Sequence, residues 1–275
     1  MQIGAMHDVT DEICPIHQVY LWQSKVSVKS SNNQLPHFIK MCPECVRTKM
    51  EKQQEREIGD TLIREKLATS YDVFERDSMI PADLKGASYK TFTVSSDIDQ
   101  QAKNFAMRLN RFYFKEGGKG NALIVGQSGI GKSHLTISIA RKLNDDWKSL
   151  NEPKSVLFVS VSKLFQKIQD GFNTRDGFSR EQMMKLLVGV DYLFLDDIGK
   201  ESTYGHTVKE ANNWKQEFLY QLLDERETTI INTNLEGAEL VKVYDRALVS
   251  RIMKGAKDNI FKYPKEAEDR RKLPF

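Results

Sequence analysis

Residues 126–133 read Gly-Gln-Ser-Gly-Ile-Gly-Lys-Ser (GQSGIGKS), directly after the apolar run Ala122-Leu123-Ile124-Val125. Gly126, Gly131, Lys132 and Ser133 satisfy G-x-x-x-x-G-K-[ST], and the KSHLTISIARKL that follows has the apolar spacing of an amphipathic helix. A strand, a glycine-rich turn and a helix N-terminus in this order form an anion cradle. Glycines let backbone N–H groups curl around phosphate oxygens, and the helix dipole favours negative charge at that point. Ser128, Gly129 and Ile130 complete the cradle, Lys132 is placed to neutralise the β- and γ-phosphates, and Ser133 to coordinate Mg2+.

Working outward, short apolar runs at 122–125, 156–159, 192–195 and 229–231 suit buried parallel strands. Helical stretches at 132–143, 161–168, 181–187 and 211–226 lie between or beside them. This alternation predicts an α/β fold, a parallel sheet flanked by helices. Within 211–226, Trp214, Phe218 and Leu222 recur every four residues beside Leu219 and Leu223, a core-facing stripe.

A phosphate loop needs a carboxylate for its metal at the end of a neighbouring strand, and VDYLFLDDIG supplies two. Asp196 is assigned to Mg2+ and Asp197 to positioning or polarising an attacking water. TIINTNL at 229–235 is a strand ending in polar residues. Asn234 is the first choice for sensing the γ-phosphate, with Asn232 as the alternative and a turn-forming asparagine as the plainer reading.

All three cysteines precede residue 46. Cys14-Pro-Ile-His17 and Cys42-Pro-Glu-Cys45 form a C-P-x-H … C-P-x-C pair, whose two-residue gaps bring both members of each knuckle onto one tetrahedral ion. Three thiolates and an imidazole suit structural Zn2+ with no open position for catalysis. His37 is an alternative to His17, and His7 a weaker one. An odd cysteine count argues against a disulfide between Cys42 and Cys45.

The chain of 275 residues accommodates two units, and 40% hydrophobic with 29% charged residues fits neither a disordered nor a fibrous protein. No run reaches membrane-spanning length, and residues 1–10 lack a secretory pattern, so a cytoplasmic protein with no membrane partner is expected. The net charge of +3 does not by itself advertise nucleic-acid binding, although basic residues outnumber acids after Arg251. Boundaries are set at 1–50 for the zinc module, 51–80 for a solvated helical linker broken at Gly59, and 81–275 for the nucleotide domain.

The loop, FLDDIGKES, the helix NNWKQEFLYQLLDERE and TTIINTNL, in this order over roughly 80–275, resemble the AAA+ domain of bacterial and phage DnaC/DnaI-type helicase loaders. The knuckles resemble the zinc module of the DnaI-like branch. This resemblance implies ATP, Mg2+ and Zn2+ as cofactors, self-association through AAA+ domains, and single-stranded DNA and a hexameric replicative helicase as partners, in a bacterial cell or phage-infected host. It also implies that Arg251, in LVSRIMKG, is an arginine finger reaching a neighbour's ATP, with an ordinary helix salt bridge as the plainer reading. Arg270 and Arg271 are placed near phosphate in a related role. Asp197 stands where glutamate is common in AAA+ proteins, which implies slow turnover. An IstB-like transposition helper and a non-hydrolysing nucleotide-binding adaptor are the competing readings. Segment 200–209 is a candidate DNA contact or a plain surface loop.

Overall fold

The computed structural model describes residues 7–27, 38–171, 179–200, 203–204, 207–208, 211–267 and 269–270, with backbone alone over 55–69, 203–204 and 207–208. Two compact units divide the chain, Met1–Glu65 and Lys66–Phe275.

The first unit is a three-stranded antiparallel sheet, β1 (His7–Ile13), β2 (Tyr20–Ser24) and β3 (Lys40–Met41), in the order β1-β2-β3. Helix α1 (Pro43–Asp77) starts at the second knuckle. Among the described residues of this unit only Cys14 and Cys42 are buried, while Val9, Ile13 and Tyr20 on the strands are exposed. So small a sheet closes no apolar core, and its buried centre is made of sulfur.

Helix α1 runs through Gly59 without interruption, which corrects the expected break there. A glycine costs a helix only about 1 kcal/mol relative to alanine, little over 35 residues of helix. Residues 51–77 of the stretch expected as a helical linker at 51–80 lie in this helix, and the boundary between units falls inside it. Its last turns belong to the second unit, where Val73 and Phe74 are buried and Tyr71 Oη donates to the carbonyl of Glu152 at 2.6 Å.

The second unit begins its regular structure with α2 (Asp97–Phe114), β4 (Ala122–Val125), α3 (Lys132–Ser149), β5 (Val156–Ser160) and α4 (Val161–Gly171). It continues with α5 (Arg180–Gly189), β6 (Tyr192–Ile198), the short pair β7 (Thr203–Tyr204) and β8 (Thr207–Val208), and α6 (Asn213–Glu225). It closes with β9 (Thr229–Thr233), α7 (Gly237–Val243), α8 (Arg246–Ile252) and β10 (Ile260–Lys262). Five strands form one parallel sheet in the order β10-β4-β9-β6-β5, so the expected α/β architecture is present.

Alternate strand residues face opposite helical layers. Leu123, Leu157, Leu193 and Ile231 join a core with Phe218, Leu222 and Leu248. Ile124, Phe158, Phe194 and Ile230 join another with Leu109, Tyr113, Leu135 and Ile139 of α2 and α3. Burial on both faces explains why these strands read as continuous apolar runs. Helix α2 was not anticipated from the apolar pattern. Its start is a capping box in which Ser96 accepts from the Asp99 amide and Asp99 accepts from the Ser96 amide.

Far from the loop, Arg226 ties two elements together. It is 5% exposed, and its guanidinium donates to the carbonyls of Leu187, Val188, Val190, Asp191 and Thr228. Two of these are end carbonyls of α5 that no helical N–H can reach. Burial pulls its pKa down to about 10, against the opposing charge of Asp191. Arg226→Met is expected to lower stability by about 3 kcal/mol, because several buried acceptors lose their donor. Urea denaturation checks this; an unchanged midpoint would contradict the assignment.

Candidate nucleotide and metal sites

The turn between β4 and α3 takes the backbone shape that its glycines permit. Gly129 and Gly131 have φ of +87° and +93°, a left-handed region unfavourable to side chains, and Gly131 caps α3. Lys132 is 4% exposed, and its Nζ donates to the Gln127 carbonyl at 2.7 Å and to Asn234 Oδ1 at 2.6 Å. The loop is thereby bound to the end of β9.

The two acids stand at the end of β6. Asp196 is 4% exposed; burial pushes its carboxyl up to about 6 and the charge of Asp197 adds to this, while hydrogen bonds from Asn232 and Ser133 and the charge of Lys132 oppose it. A buried carboxylate with a hydroxyl and an ammonium nearby fits a divalent cation, whose charge would hold it ionised. Asp197 has φ +58° and pairs with Lys200 at 3.1 Å. Here β6 bulges: Leu195 opposes Ile231 and Ile198 opposes Thr233, three steps against two.

The structure thus brings Gly126, Ser128, Gly129, Ile130, Gly131, Lys132, Ser133, Asp196, Asp197 and Asn234 to one edge of the sheet. Asn232 lies wholly buried behind the acids. Arg251 sits elsewhere, on α8, where it pairs with Asp224 at 2.6 Å and lies 5.6 Å from the centre of the Tyr220 ring.

The chain after β10 folds back over the loop, a feature that apolar periodicity did not reveal. Tyr263 donates its amide to the Val125 carbonyl, Gln127 Nε2 to the Lys265 carbonyl and the Arg270 amide to the Gly129 carbonyl. The Arg270 guanidinium pairs with Asp99, donates to the Thr93 carbonyl at 2.9 Å and stacks over Phe92 at 4.6 Å. A Cβ built on Gly131 would stand 3.4 Å from Arg270 Cζ, so this arginine borders the cradle. Arg271 and His37 lie outside the described residues, as do 201–202, 205–206 and 209 of segment 200–209.

In the first unit the ligand atoms of Cys14, His17, Cys42 and Cys45 all lie within 4.8 Å of one another. His17 Nδ1 is 3.8, 3.6 and 3.3 Å from the sulfurs of Cys14, Cys42 and Cys45, and the Cys14 and Cys45 sulfurs are 3.9 Å apart. That spacing is too long for a disulfide. A Zn–S bond of about 2.3 Å implies S···S edges of about 3.8 Å in a tetrahedron, so the four groups fit zinc. Amides of His17 and Ile16 pull the Cys14 thiol down to about 6, whereas burial and its neighbour sulfurs push Cys45 up to about 11. One thiolate forms readily and opposes the next, a conflict that a bound cation removes.

A family model described as IstB-like ATP binding protein matches residues 31–255. The chain belongs to that family. This IstB-like protein is 26% identical over 190 residues to the replicative helicase loader DnaC of Escherichia coli strain K12, covering 66% of this chain and 69% of that one. It is 22% identical over 209 residues to DnaC of Buchnera aphidicola subsp. Schizaphis graminum, covering 74% and 78%. The crystal structure of DnaI superimposes with a TM-score of 0.50 at 21% identity, over 70% of this chain and 95% of that one, which supports the AAA+ P-loop fold. These relatives bear out the resemblance to the DnaC/DnaI group read from the motifs. Among the described residues no helix is long and apolar enough to cross a membrane.

Two outcomes follow from these geometries. Gly129→Ala forces a side chain into left-handed φ and into contact with the Asp269 carboxylate, whereas a Cβ on Gly86 meets nothing within 4 Å. A left-handed alanine costs about 1–2 kcal/mol, so Gly129→Ala is expected to weaken ATP about tenfold by calorimetry, with Gly86→Ala unchanged. Chelation is expected to remove one zinc per chain and abolish the near-ultraviolet signal of Trp22, leaving the melting of the second unit in place. A metal-free protein with an unchanged Trp22 signal would contradict the structural role.

Proposed function

We propose that this protein is an ATP-dependent loader that places a hexameric replicative helicase on single-stranded DNA. The observation that carries this reading is the phosphate loop facing an acid pair whose first member, Asp196, is buried, in a chain similar to curated loaders named DnaC. The zinc module would hold the helicase and the AAA+ unit would use the nucleotide state to assemble and to release it. The domain roles at 1–50, 51–80 and 81–275 belong to this proposal, with the linker understood as part of α1. Zinc, when bound, supplies the missing core of the module.

In the nucleotide site, backbone amides from Ser128 to Ser133 would bind the phosphates. Lys132, already desolvated, would exchange its bond to Asn234 or Gln127 for phosphate oxygens. Magnesium, when bound, supplies charge neutralisation at the β- and γ-phosphates, held by Ser133 and Asp196. Asp197 would orient the attacking water and receive its proton, and Asn234 would report the γ-phosphate to Lys132. Arg251 would leave Asp224 and Tyr220 to complete a neighbour's site, which makes hydrolysis depend on self-association.

A transposition-helper role is the second reading, favoured by the description of the family. The loader reading is preferred because the similar curated proteins carry loader names and the unit with the Cys/His cluster would be free to grip a partner.

Loading is tested by helicase retention on circular single-stranded DNA. Wild type with ATP should load it, Lys132→Ala should not, and Asp197→Asn should bind ATP normally yet lower turnover about a hundredfold. Absence of loading by wild type would contradict the proposal. The arginine finger is tested by mixing Lys132→Ala with Arg251→Ala, each inactive alone. Recovery of turnover in the mixture is expected; no recovery would return Arg251 to a purely structural ion pair.

A further inference from the structure

Asn232 makes a set of contacts that a phosphate sensor would not need. It is wholly buried in β9, two residues before Asn234. Its Oδ1 accepts the amide of Asp197 at 2.7 Å, and its Nδ2 donates both to Asp196 Oδ1 and to Thr136 Oγ1, the latter at 3.1 Å. The orientation of the side-chain amide is unambiguous, because a main-chain N–H on one side and a carboxylate on the other admit only one assignment. Thr136 in turn donates to the carbonyl of Lys132 at 2.9 Å. One side chain therefore joins both acids of β6 to the first turn of α3.

The bulge explains why such a clamp is required. Between Leu195 and Ile198 two residues of β6, Asp196 and Asp197, oppose the single residue Asn232 of β9, and Asp197 is held at φ +58°. A bulged residue leaves the ladder, and its amide needs another acceptor or stays unpaired at a cost of about 1–3 kcal/mol. A left-handed aspartate is itself unfavourable and persists only where its surroundings impose it. Asn232 Oδ1 supplies the acceptor, and the same amide group fixes the adjoining carboxylate.

We propose that Asn232 is a positioning residue that clamps Asp196 and Asp197 into the bulged geometry and, through Thr136, holds them in register with the turn carrying Lys132. This rests on the reading of the edge as an ATP-hydrolysing site and deepens it. Asn234 touches Lys132 at the front of the site. Asn232 acts from behind, through the acids, and touches neither nucleotide nor water.

Loss of the clamp should separate nucleotide binding from the metal-dependent step. Full-length wild type, Asn232→Ala and Thr136→Val are compared for ATP affinity in EDTA, for the Mg2+ concentration giving half-maximal turnover, for kcat and for hydrogen exchange at the Asp197 amide. With Asn232→Ala, the affinity in EDTA should stay within about twofold, because the loop amides are untouched. The half-maximal Mg2+ concentration and kcat should each worsen about tenfold, the loss of one hydrogen bond to a charged group. The Asp197 amide should also lose its protection. Thr136→Val, which leaves both acid contacts intact, should shift the same quantities in the same direction by less. If Asn232→Ala does not fold, Thr136→Val decides the matter alone. Unchanged kcat and Mg2+ dependence in a folded variant, or a loss confined to affinity in EDTA, would overturn the proposal. A wild type without turnover would instead overturn the hydrolytic reading; exchange at the Asp197 amide, read without nucleotide, then tests the clamp by itself.

Discussion

Lys132 Nζ donates to Gln127 in its own loop and to Asn234 at the end of β9, and it has almost no access to solvent. The rest of the site depends on this arrangement. Two neutral oxygens hold this buried ammonium, and phosphate oxygens can replace them at a gain in charge. It is held there because parallel strands, covered on both faces, deliver β4, β6 and β9 to one edge with their polar ends adjacent. Loop glycines in left-handed conformations then turn the chain so that α3 points its N-terminus at the same place.

The two units are stabilised by different physics. In the second, two continuous apolar layers cover the sheet and a buried arginine satisfies the carbonyls where α5 ends. In the first, the strands expose Val9, Ile13 and Tyr20, and the buried residues among those described are cysteines. Its Cys/His cluster fits a metal, and a unit ordered by a bound ion would respond to chelation or oxidation while the nucleotide unit stays folded.

Much of the second unit was legible in the sequence, because fully buried parallel strands appear as unbroken apolar runs and the phosphate loop is constrained residue by residue. The knuckle spacing likewise anticipated the cluster of Cys14, His17, Cys42 and Cys45. Other features were hidden, for identifiable reasons. The box of Ser96 and Asp99 announces α2, but that helix buries alanines and single large residues in place of a dense apolar stripe. Gly59 suggested a break that a long helix absorbs. The bulge at Asp197 and the clamp by Asn232 join residues 35 positions apart. Neither residue differs in type from an ordinary turn former, and only register reveals the connection. The return of the chain from β10 over Gly129 and Gly131 is equally a matter of long-range placement.

Under the proposed function, the nucleotide state at these strand ends governs custody of a helicase. The rate at which a helicase dissociates from the full-length protein on single-stranded DNA tests it most directly, compared with ATP and with a non-hydrolysable analogue under Mg2+. Release that is fast with ATP and arrested with the analogue is the predicted result. Equal release rates with both nucleotides would contradict the account.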